Sequence, residues 1–412
     1  MVLFRRFSQV SLLILFYFLT YVYATDKFTS YLFTYFTGND NKKAQEAIRF
    51  AISDDAHTFK ALNKNNPVLS SAQISSTGGV RDPHILRGEK NDYYMVATDM
   101  VSANGWASNH GIVMLKSSNL IDWKSSAVDM HEHFPSLKTA DRVWAPQTIY
   151  DPTVGKYMVY FAMRLGPSDY DKIYYAYADS SFTKLETEPK VLYSYGTTAA
   201  IDADIIYKDS TWHLFFKTEG SSQKGIKSAT SKAPAGPYTL YDKYLQQTSD
   251  QVEGSCVFQL INSDTFVLMY DVYNAGRYEF ALSTDLRTFK KDPKPISFDF
   301  TPRHGTIIPI TENEKWTLLA KWNPTAAAER PPLPDAERVA YHLSQRTLTV
   351  SFDRCIPDRR LDLVDLSGKI VRVLPIPTAS ARIGLTGLPP GLYHVVTSTP
   401  SGYRAFFRIC LR

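Results

Sequence analysis

The sequence predicts an all-β protein: a five-bladed β-propeller followed by a small C-terminal β-sandwich-like domain. Short apolar runs separated by Gly, Asn, Asp and Ser turns dominate the chain, whereas long helical periodicities are nearly absent. In addition, a unit of three strands recurs five times, which indicates repeated hairpins. A β-sandwich is the alternative architecture, and it leaves the matching of the two ends of the repeat unexplained.

The N-terminal segment has the pattern of a secretory signal. Arg5 and Arg6 precede an apolar run over 10–23, and the small residue Ala24 follows it. The alternative, a membrane anchor, has less support because the run is short for a bilayer span. We therefore expect a signal peptide over residues 1–24 and an exported protein that is periplasmic, attached to the cell surface or secreted.

The middle strand of each repeat sets the period. The five middle strands are YLFTYF (31–36), YYMVAT (93–98), KYMVYFA (156–162), WHLFFK (212–217) and FVLMYD (266–271), spaced by 54 to 63 residues. The strands that follow them align without gaps in three repeats, over 48–59, 113–123 and 279–289. Matches in this order indicate true repeats, although any single match means little.

The strand before each hairpin begins at a polar or aromatic residue. These residues are Asp82, Trp144, Asp202, Glu253 and His304. The first hairpin (31–59) has no strand before it, and the last strand (304–310) has no hairpin after it. We therefore expect the two ends to pair and to close a domain over 25–323, which would also protect the sheet edges.

The end of the chain has a different composition. Thr311 to Glu314 form a capping-box pattern that predicts a short helix over 315–321. A Pro/Ala-rich linker over 324–338 and a second β-domain over 339–412 follow. Of the three cysteines, Cys256 is expected to be buried, whereas Cys355 and Cys410 could pair in an oxidising compartment.

The net charge of +5 is spread along the 412 residues without a basic run, so nucleic acid is not an expected partner.

In a propeller, the starts of the inner strands meet at one end of the axis. Asp82, Asp202, Glu253 and His304 would then converge. Glycoside hydrolysis needs one protonated carboxyl group to donate to the leaving oxygen and one ionised carboxylate to activate water or attack. A third carboxylate nearby can raise the pKa of the acid by like-charge repulsion.

Each of these residues also has a purely structural interpretation. Asp82 before a proline can cap a turn, and Glu253 before Gly254 can mark a bulge. Strand alternation puts Asp202 and Asp204 on the same side of their strand, where either could be a solvated surface residue. His304 could be a core histidine. The shared position in successive repeats favours the functional interpretation for the set.

Five ordered motifs resemble glycoside hydrolase family 43: Arg81-Asp82-Pro83-His84-Ile85, Trp144-Ala145-Pro146-Gln147, Ile201-Asp202-Ala203-Asp204, Val252-Glu253-Gly254 and Arg303-His304-Gly305-Thr306. The resemblance implies an inverting glycosidase in which Asp82 is the general base, Glu253 the general acid and Asp202 the carboxylate that tunes the pKa of the acid. It also leaves room for a calcium ion near His304 at the axis, although no cofactor is required. Ala203 and Ser255 replace prolines that are frequent in the family. The fructan-cleaving propellers fit less well, because no Asn-Asp-Pro stretch precedes Arg81.

Further predictions concern the substrate and the C-terminus. Trp106, His110, Trp144 and Arg303 are candidates for binding sugar, and core packing is an equal alternative for Trp144. The segments 363–371, 385–396 and 406–412 resemble the C-terminal sorting domain of type IX secretion, with a carbohydrate-binding or spacer domain as the alternative. We expect a monomeric α-L-arabinofuranosidase or β-xylosidase that acts on oligosaccharides or on side chains of plant-type polysaccharides. The alternative function is a non-catalytic cell-surface carbohydrate-binding propeller.

Overall fold

The computed structural model describes residues 27–39, 44–90, 92–220, 224–328, 339–352, 355–365, 369–398 and 404–411. The predicted signal peptide and most of the predicted linker lie outside these ranges. The chain divides into two compact units, one of Lys27–Arg330 and one that includes Pro331–Arg412. Strands form most of the regular structure in both, which confirms the all-β prediction.

The first unit begins with a hairpin and a short third strand: β1 (Phe28–Tyr35), β2 (Arg49–Ser53) and β3 (Thr58–Ala61). The last six residues of β1 are all buried, as is the whole of β2. The absence of charged side chains from β1 allows both of its faces to be covered.

Four antiparallel sheets follow, and in each of them the strands pair in sequence order. Their strands are β4 (Val80–Arg87), β5 (Tyr93–Asp99), β6 (Gly111–Ser117) and β7 (Trp123–Asp129) in the first sheet; β8 (Arg142–Asp151), β9 (Lys156–Arg164), β10 (Lys172–Tyr177) and β11 (Lys190–Tyr193) in the second; β12 (Ala200–Lys208), β13 (Thr211–Glu219), β14 (Lys224–Ser231) and β15 (Thr239–Tyr241) in the third; and β16 (Glu253–Gln259), β17 (Phe266–Val272), β18 (Arg277–Ser283) and β19 (Lys290–Lys291) in the fourth. Short helices α1 (Ser71–Ile74) and α2 (Met130–His133) and 3-10 turns at 62–65, 102–104 and 135–137 lie between strands.

A fifth sheet joins the two ends of the unit. Strand β20 (Ser297–Phe298) pairs with β3, and β21 (Gly305–Thr311) pairs with β1, with Gly305 opposite Tyr35. The predicted pairing of strand 304–310 with the N-terminal hairpin is therefore confirmed. One edge strand of each sheet packs against its neighbours in the order β4, β8, β12, β16 and β21, and β21 returns to β4. We call them the inner strands.

Helix α3 (Glu312–Trp322) follows β21 and is slightly longer than predicted. Its capping box is present, with Thr311 and Glu314 each bonding the backbone of the other, which confirms that part of the prediction. A second helix, α4 (Pro324–Ala328), covers the first five residues of the predicted linker. The reason is local, since proline at the first helical position and three alanines favour a helical turn.

The second unit contains two sheets. Strands β22 (Val339–Ser344), β23 (Thr347–Phe352) and β26 (Ser380–Gly384) form one, and β24 (Arg360–Val364), β25 (Ile370–Pro375), β27 (Gly391–Ser398) and β28 (Arg404–Leu411) form the other. Apolar side chains of both sheets, such as Val350 and Val395, share one core. Cys355 and Cys410 are both free and exposed, so the structure does not pair them; Cys256 is buried, as predicted. No helix among the described residues is long and apolar enough to span a bilayer.

Candidate active site

A β-bulge recurs near the start of four inner strands. In each strand the register shifts by one residue, between Arg81 and His84, Trp144 and Gln147, Ile201 and Asp204, and Glu253 and Cys256. One residue of each bulge has a positive φ: Asp82 at 48°, Ala145 at 45°, Asp202 at 50° and Gly254 at 63°. Such bulges bend a strand and re-aim its side chains, and they are frequent next to active sites.

The bulges show that Glu253 is not equivalent to Asp82 and Asp202. Gly254 occupies their position, and Glu253 stands one residue earlier, where the first sheet has Arg81. A side chain at Gly254 has no room, because a Cβ atom there would lie 2.6 Å from the His304 ring. Because β16 approaches His304 so closely, an acidic side chain cannot be accommodated at position 254, and it is found at the preceding position, Glu253.

A cavity of about 430 Å³ opens at this end of the inner strands. Seven residues predicted for the site line it: Asp82, Trp106, Trp144, Asp202, Glu253, Arg303 and His304. His110, the remaining candidate, is not among its lining residues; the imidazole stacks on His131 of α2 at 3.8 Å, away from the cavity. Lys217, Glu219 and Tyr273 also line the cavity and were not predicted from the sequence.

Asp204 does not join the cavity, contrary to the expectation from strand alternation. The bulge lies between Ile201 and Asp204 and breaks the two-residue period, so Asp204 is buried further along β12, where its carboxylate accepts a hydrogen bond from the Val257 amide. Burial raises the pKa of Asp204 to about 7.

His304 lies between two of the predicted catalytic carboxylates. Its Nδ1 is 3.3 Å from Asp82 Oδ1, and its Nε2 is 3.1 Å from Glu253 Oε1 and 3.9 Å from Asp202 Oδ2. Burial alone would lower the pKa of His304, but Asp202, Glu253 and Asp82 outweigh it and raise the pKa to about 9. At neutral pH the imidazolium therefore lies between negatively charged groups, with Asp82 on its Nδ1 side and Glu253 on its Nε2 side.

Glu253 is surrounded by positive charge. Lys217 Nζ is 3.2 Å from its Oε2, and Arg303 donates to its Oε1. Arg303 is itself held by Asp271, whose Oδ2 is 2.8 Å from Nε. Burial would raise the pKa of Glu253, but His304, Lys217 and Arg303 together lower it below its usual range.

Asp202 shows the opposite shift. Burial raises its pKa, and His304 and Lys217 offset this only in part. From the sequence, Asp202 is expected to raise the pKa of Glu253 by like-charge repulsion. In this structure three cations around Glu253 outweigh that repulsion, so the pKa of Asp202 is the raised one.

Asp82 is held by a threonine of the neighbouring strand. Thr98 Oγ1 donates to Asp82 Oδ2 at 2.8 Å and accepts from the Ala145 amide at 2.8 Å. This contact joins the first two bulges through a side chain that is fully buried.

Aromatic side chains form one wall of the cavity. Trp106 is 53% exposed and meets Trp144 edge to face at 6.2 Å. The Arg81 guanidinium lies 5.3 Å from the Trp106 ring, and Trp144 Nε1 donates to Asn109 at 3.0 Å. An exposed indole face next to carboxylates suits the C–H surface of a sugar ring.

The donor set fits calcium poorly. Asp202, Glu253 and His304 offer ligand atoms within 4.8 Å of one another. Calcium takes six to eight oxygen ligands, whereas one of these donors is an imidazole whose two nitrogens already face carboxylates. Lys217 and Arg303 also neutralise Glu253. We therefore assign no metal to this cluster.

The fold and the site define a class of protein. Sheets whose inner strands close in a circle bring three carboxyl groups to one cavity, an arrangement suited to hydrolysis by acid–base chemistry. Residues 26–315 match the family model described as a probable glycosyl hydrolase domain, a family related to glycosyl hydrolase family 43. The chain belongs to this family.

Individual relatives are distant. An α-L-arabinofuranosidase of Bifidobacterium longum subsp. longum is 26% identical over 228 residues, which are 50% of this chain and 21% of that protein. The chain thus spans about a fifth of the length of this curated relative. A xylan β-1,4-xylosidase from Bacillus halodurans has a TM-score of 0.50 and 12% identity over 93% of this chain and 87% of its own, which shows a shared fold. A thermostable family-43 glycoside hydrolase has a TM-score of 0.44 and 16% identity, with 84% of this chain and 93% of its own covered.

Proposed function

We propose that the protein is an inverting glycoside hydrolase, an α-L-arabinofuranosidase or β-xylosidase that acts on oligosaccharides or on side chains of plant-type polysaccharides. One observation carries the proposal: Asp82, Asp202 and Glu253, from three different sheets, line one cavity with Trp106 and Trp144. The family to which the chain belongs and the names of its relatives agree with this substrate class.

In the proposed reaction the Asp82 carboxylate takes a proton from water, and the water oxygen bonds to the anomeric carbon. The bond from that carbon to the leaving oxygen breaks, and the Glu253 carboxyl group gives its proton to this oxygen. Glu253 must therefore be protonated in the reacting complex. A sugar that fills the cavity displaces water and strengthens the effect of burial, which already opposes the cations around Glu253. We propose that substrate binding raises the pKa of Glu253 in this way, with Asp202 as the carboxylate that tunes it.

The stereochemical outcome follows from the distance between the two carboxyl groups. The His304 contacts keep Asp82 Oδ1 and Glu253 Oε1 within about 9 Å, a bound that covers most of the roughly 6.5–9.5 Å range of an inverting pair. A retaining pair, at roughly 5–5.5 Å, would also satisfy it. The anomeric configuration of the first product, followed by proton NMR, decides between them, and retention would contradict the proposed role of Asp82.

The activity is tested on aryl α-L-arabinofuranosides and β-xylosides. We expect the wild type to release the chromophore and Glu253→Gln to lose most of this activity, on the order of 10²–10⁴-fold. The alternative function, a non-catalytic carbohydrate-binding protein, predicts equal inactivity of both forms with retained affinity for oligosaccharides. The proposal requires no metal, because His304, Lys217 and Arg303 supply the positive charge, so activity is expected to survive chelation with EDTA.

We propose that the five sheets are the blades of a β-propeller spanning 25–323 and closed by β21 and β1. The circular packing order of the inner strands supports this architecture.

For the second unit, 339–412, we propose a β-sandwich-like domain that sorts the protein through type IX secretion, after cleavage of a signal peptide behind Ala24. The mature protein would be an exported monomer. N-terminal sequencing and fractionation of cells that express the chain with and without 339–412 test these points, and retention of both forms in the cytoplasm would contradict them.

A further inference from the structure

A second set of residues stands behind the bulges. In each of the first four sheets, the second strand places one residue opposite the position that precedes the bulge: Thr98 opposite Arg81, Ala162 opposite Trp144, Lys217 opposite Ile201 and Asp271 opposite Glu253. We call these four the supporting residues. They occupy equivalent places because the same hairpin and the same bulge recur.

Three supporting residues are polar, and each bonds a residue of the site. Thr98 donates to Asp82, and Asp271 accepts from Arg303, which in turn donates to Glu253. Lys217 reaches Glu253 itself, with Nζ 3.2 Å from Oε2. Supporting residues from three sheets therefore act on two carboxylates of the site, Asp82 and Glu253.

Lys217 is the most unusual of them, because a charge in a buried strand is costly unless it is paired. Its side chain is only 2% exposed, and its neighbours in β13 include the buried Phe215 and Phe216. The ammonium group is 2.6 Å from Glu219 Oε1 and lies 5.0 Å from the Tyr273 ring. An apolar side chain would fit such a strand better, so the charge points to a role at Glu253.

The two oxygens of Glu253 have different partners. Arg303 and His304 both contact Oε1, whereas Lys217 contacts Oε2. A proton on Glu253 would therefore compete with two cations at Oε1 and with one, Lys217, at Oε2. The charged groups that face Glu253 are Lys217 from β13, Arg303 and His304 from the residues just before β21, Asp202 from β12 and Asp271 from β17. Asp82 from β4 lies on the other side of the His304 ring.

We propose that Lys217 is a positioning residue that holds Oε2 of Glu253 toward the cavity and controls how readily this carboxyl group takes up a proton. The importance of this effect for catalysis rests on the proposed function, whereas the effect of Lys217 on the protonation of Glu253 does not. Glu219, which also contacts Lys217, is the alternative anion that stabilises the ammonium group when Glu253 becomes neutral.

The test follows the Glu253 carboxyl group directly. In protein labelled with ¹³C at glutamate side chains, the Glu253 signal is assigned by its absence from Glu253→Gln and titrated by NMR. We expect Lys217→Met to raise the pKa of Glu253 by about one to three units, the usual effect of losing an opposite charge within 4–6 Å. Lys217→Arg should keep the wild-type titration.

Lys227→Met is the matched control. Lys227 lies on the next strand of the same sheet, opposite Phe216, and is likewise buried, but its ammonium group bonds Asp242 and faces Tyr244 at 4.3 Å. We expect it to leave the Glu253 titration unchanged. If Lys217→Met does not fold, Lys217→Gln removes the charge while retaining a hydrogen-bond donor and is titrated in its place.

An unchanged Glu253 titration in the charge-removing variant, or an equal shift in Lys227→Met, would overturn the proposal. In an active enzyme, the limb of the kcat/KM profile that reports Glu253 should shift to higher pH in Lys217→Met and return in Lys217→Arg. A wild type that hydrolyses no glycoside would contradict the proposed function and leave the NMR result as the test of Lys217.

Discussion

Asp82 and Asp202 occupy the same position of the same β-bulge in two different sheets, with φ angles of 48° and 50°. A residue other than glycine in this region of φ costs on the order of 1–3 kcal/mol, and such residues cluster at functional sites. The repeated bulge thus places two carboxyl groups at one end of the inner strands, each on a residue with a strained backbone. In the fourth bulge the residue with positive φ is Gly254, and the acidic residue, Glu253, directly precedes it.

Gly254→Ala is expected to disturb the site, because its new Cβ atom would lie 2.6 Å from His304 Cδ2 in addition to carrying a φ of 63°. We expect a loss of at least about 2 kcal/mol in the free energy of unfolding, measured with urea, and a large fall in kcat/KM. Ala145→Gly, at the equivalent bulge, should change stability by less than about 1 kcal/mol. Equal stability of Gly254→Ala and wild type would show that the ring moves aside freely.

Thr98→Val is expected to leave two buried polar groups unsatisfied, since Thr98 bonds both Asp82 and the Ala145 amide. The expected loss of stability is about 1–3 kcal/mol, with a parallel loss of activity through the misplaced Asp82. Thr98→Ser, which retains the hydroxyl group, should recover most of both. If Thr98→Val and Thr98→Ser behave alike, packing rather than hydrogen bonding is what matters at this position.

The pH dependence of stability should report His304. Its pKa is raised to about 9 in the folded protein, whereas an unfolded histidine titrates near 6.5. Its contribution is therefore fully present below about pH 6.5 and is lost as the pH rises through about 9, with an upper bound on the order of 3 kcal/mol.

His304→Asn should remove this dependence. Melting temperatures of the wild type and the variant, measured from pH 6 to 10, should differ most at the acidic end and converge above about pH 9. Parallel curves across the whole range would mean that His304 is neutral in the folded protein.

Trp106→Ala should weaken substrate binding with little effect on folding, because the indole is 53% exposed at the cavity. We expect KM to rise several-fold, with stability within about 0.5 kcal/mol of the wild type. Tyr207→Ala is the control, since Tyr207 is equally exposed at 54% but is not among the residues that line the cavity. A rise in KM of the same size in both variants would argue against a sugar-binding wall at Trp106.

Much of the secondary structure and one long-range strand pairing could be predicted from local patterns in the sequence. The middle strands appear where short apolar runs predicted them, and the pairing of β1 with β21 followed from an unmatched strand and an unmatched hairpin. Helix α3 followed from its capping box. These features depend on neighbours along the chain or on a repeat, both of which can be read in one dimension. The candidate residues Asp82, Asp202, Glu253 and His304 were likewise found through their repeated position.

The tertiary structure decided what the repeat could not. The bulges broke the two-residue period, which separated Asp204 from Asp202 and moved Glu253 one residue ahead of the position of Asp82. The ring of His110 turned away to stack on His131. Lys217 and Thr98 stand at the ends of predicted middle strands, WHLFFK and YYMVAT, yet their contacts with Glu253 and Asp82 appear only when strands are paired. The ionisation of Glu253 depends on charges from three segments that are distant in sequence. Coulombic interactions depend on distances in space and not on separation along the chain. The candidate carboxyl groups could therefore be identified from the sequence, whereas the directions of their pKa shifts follow only from the folded structure.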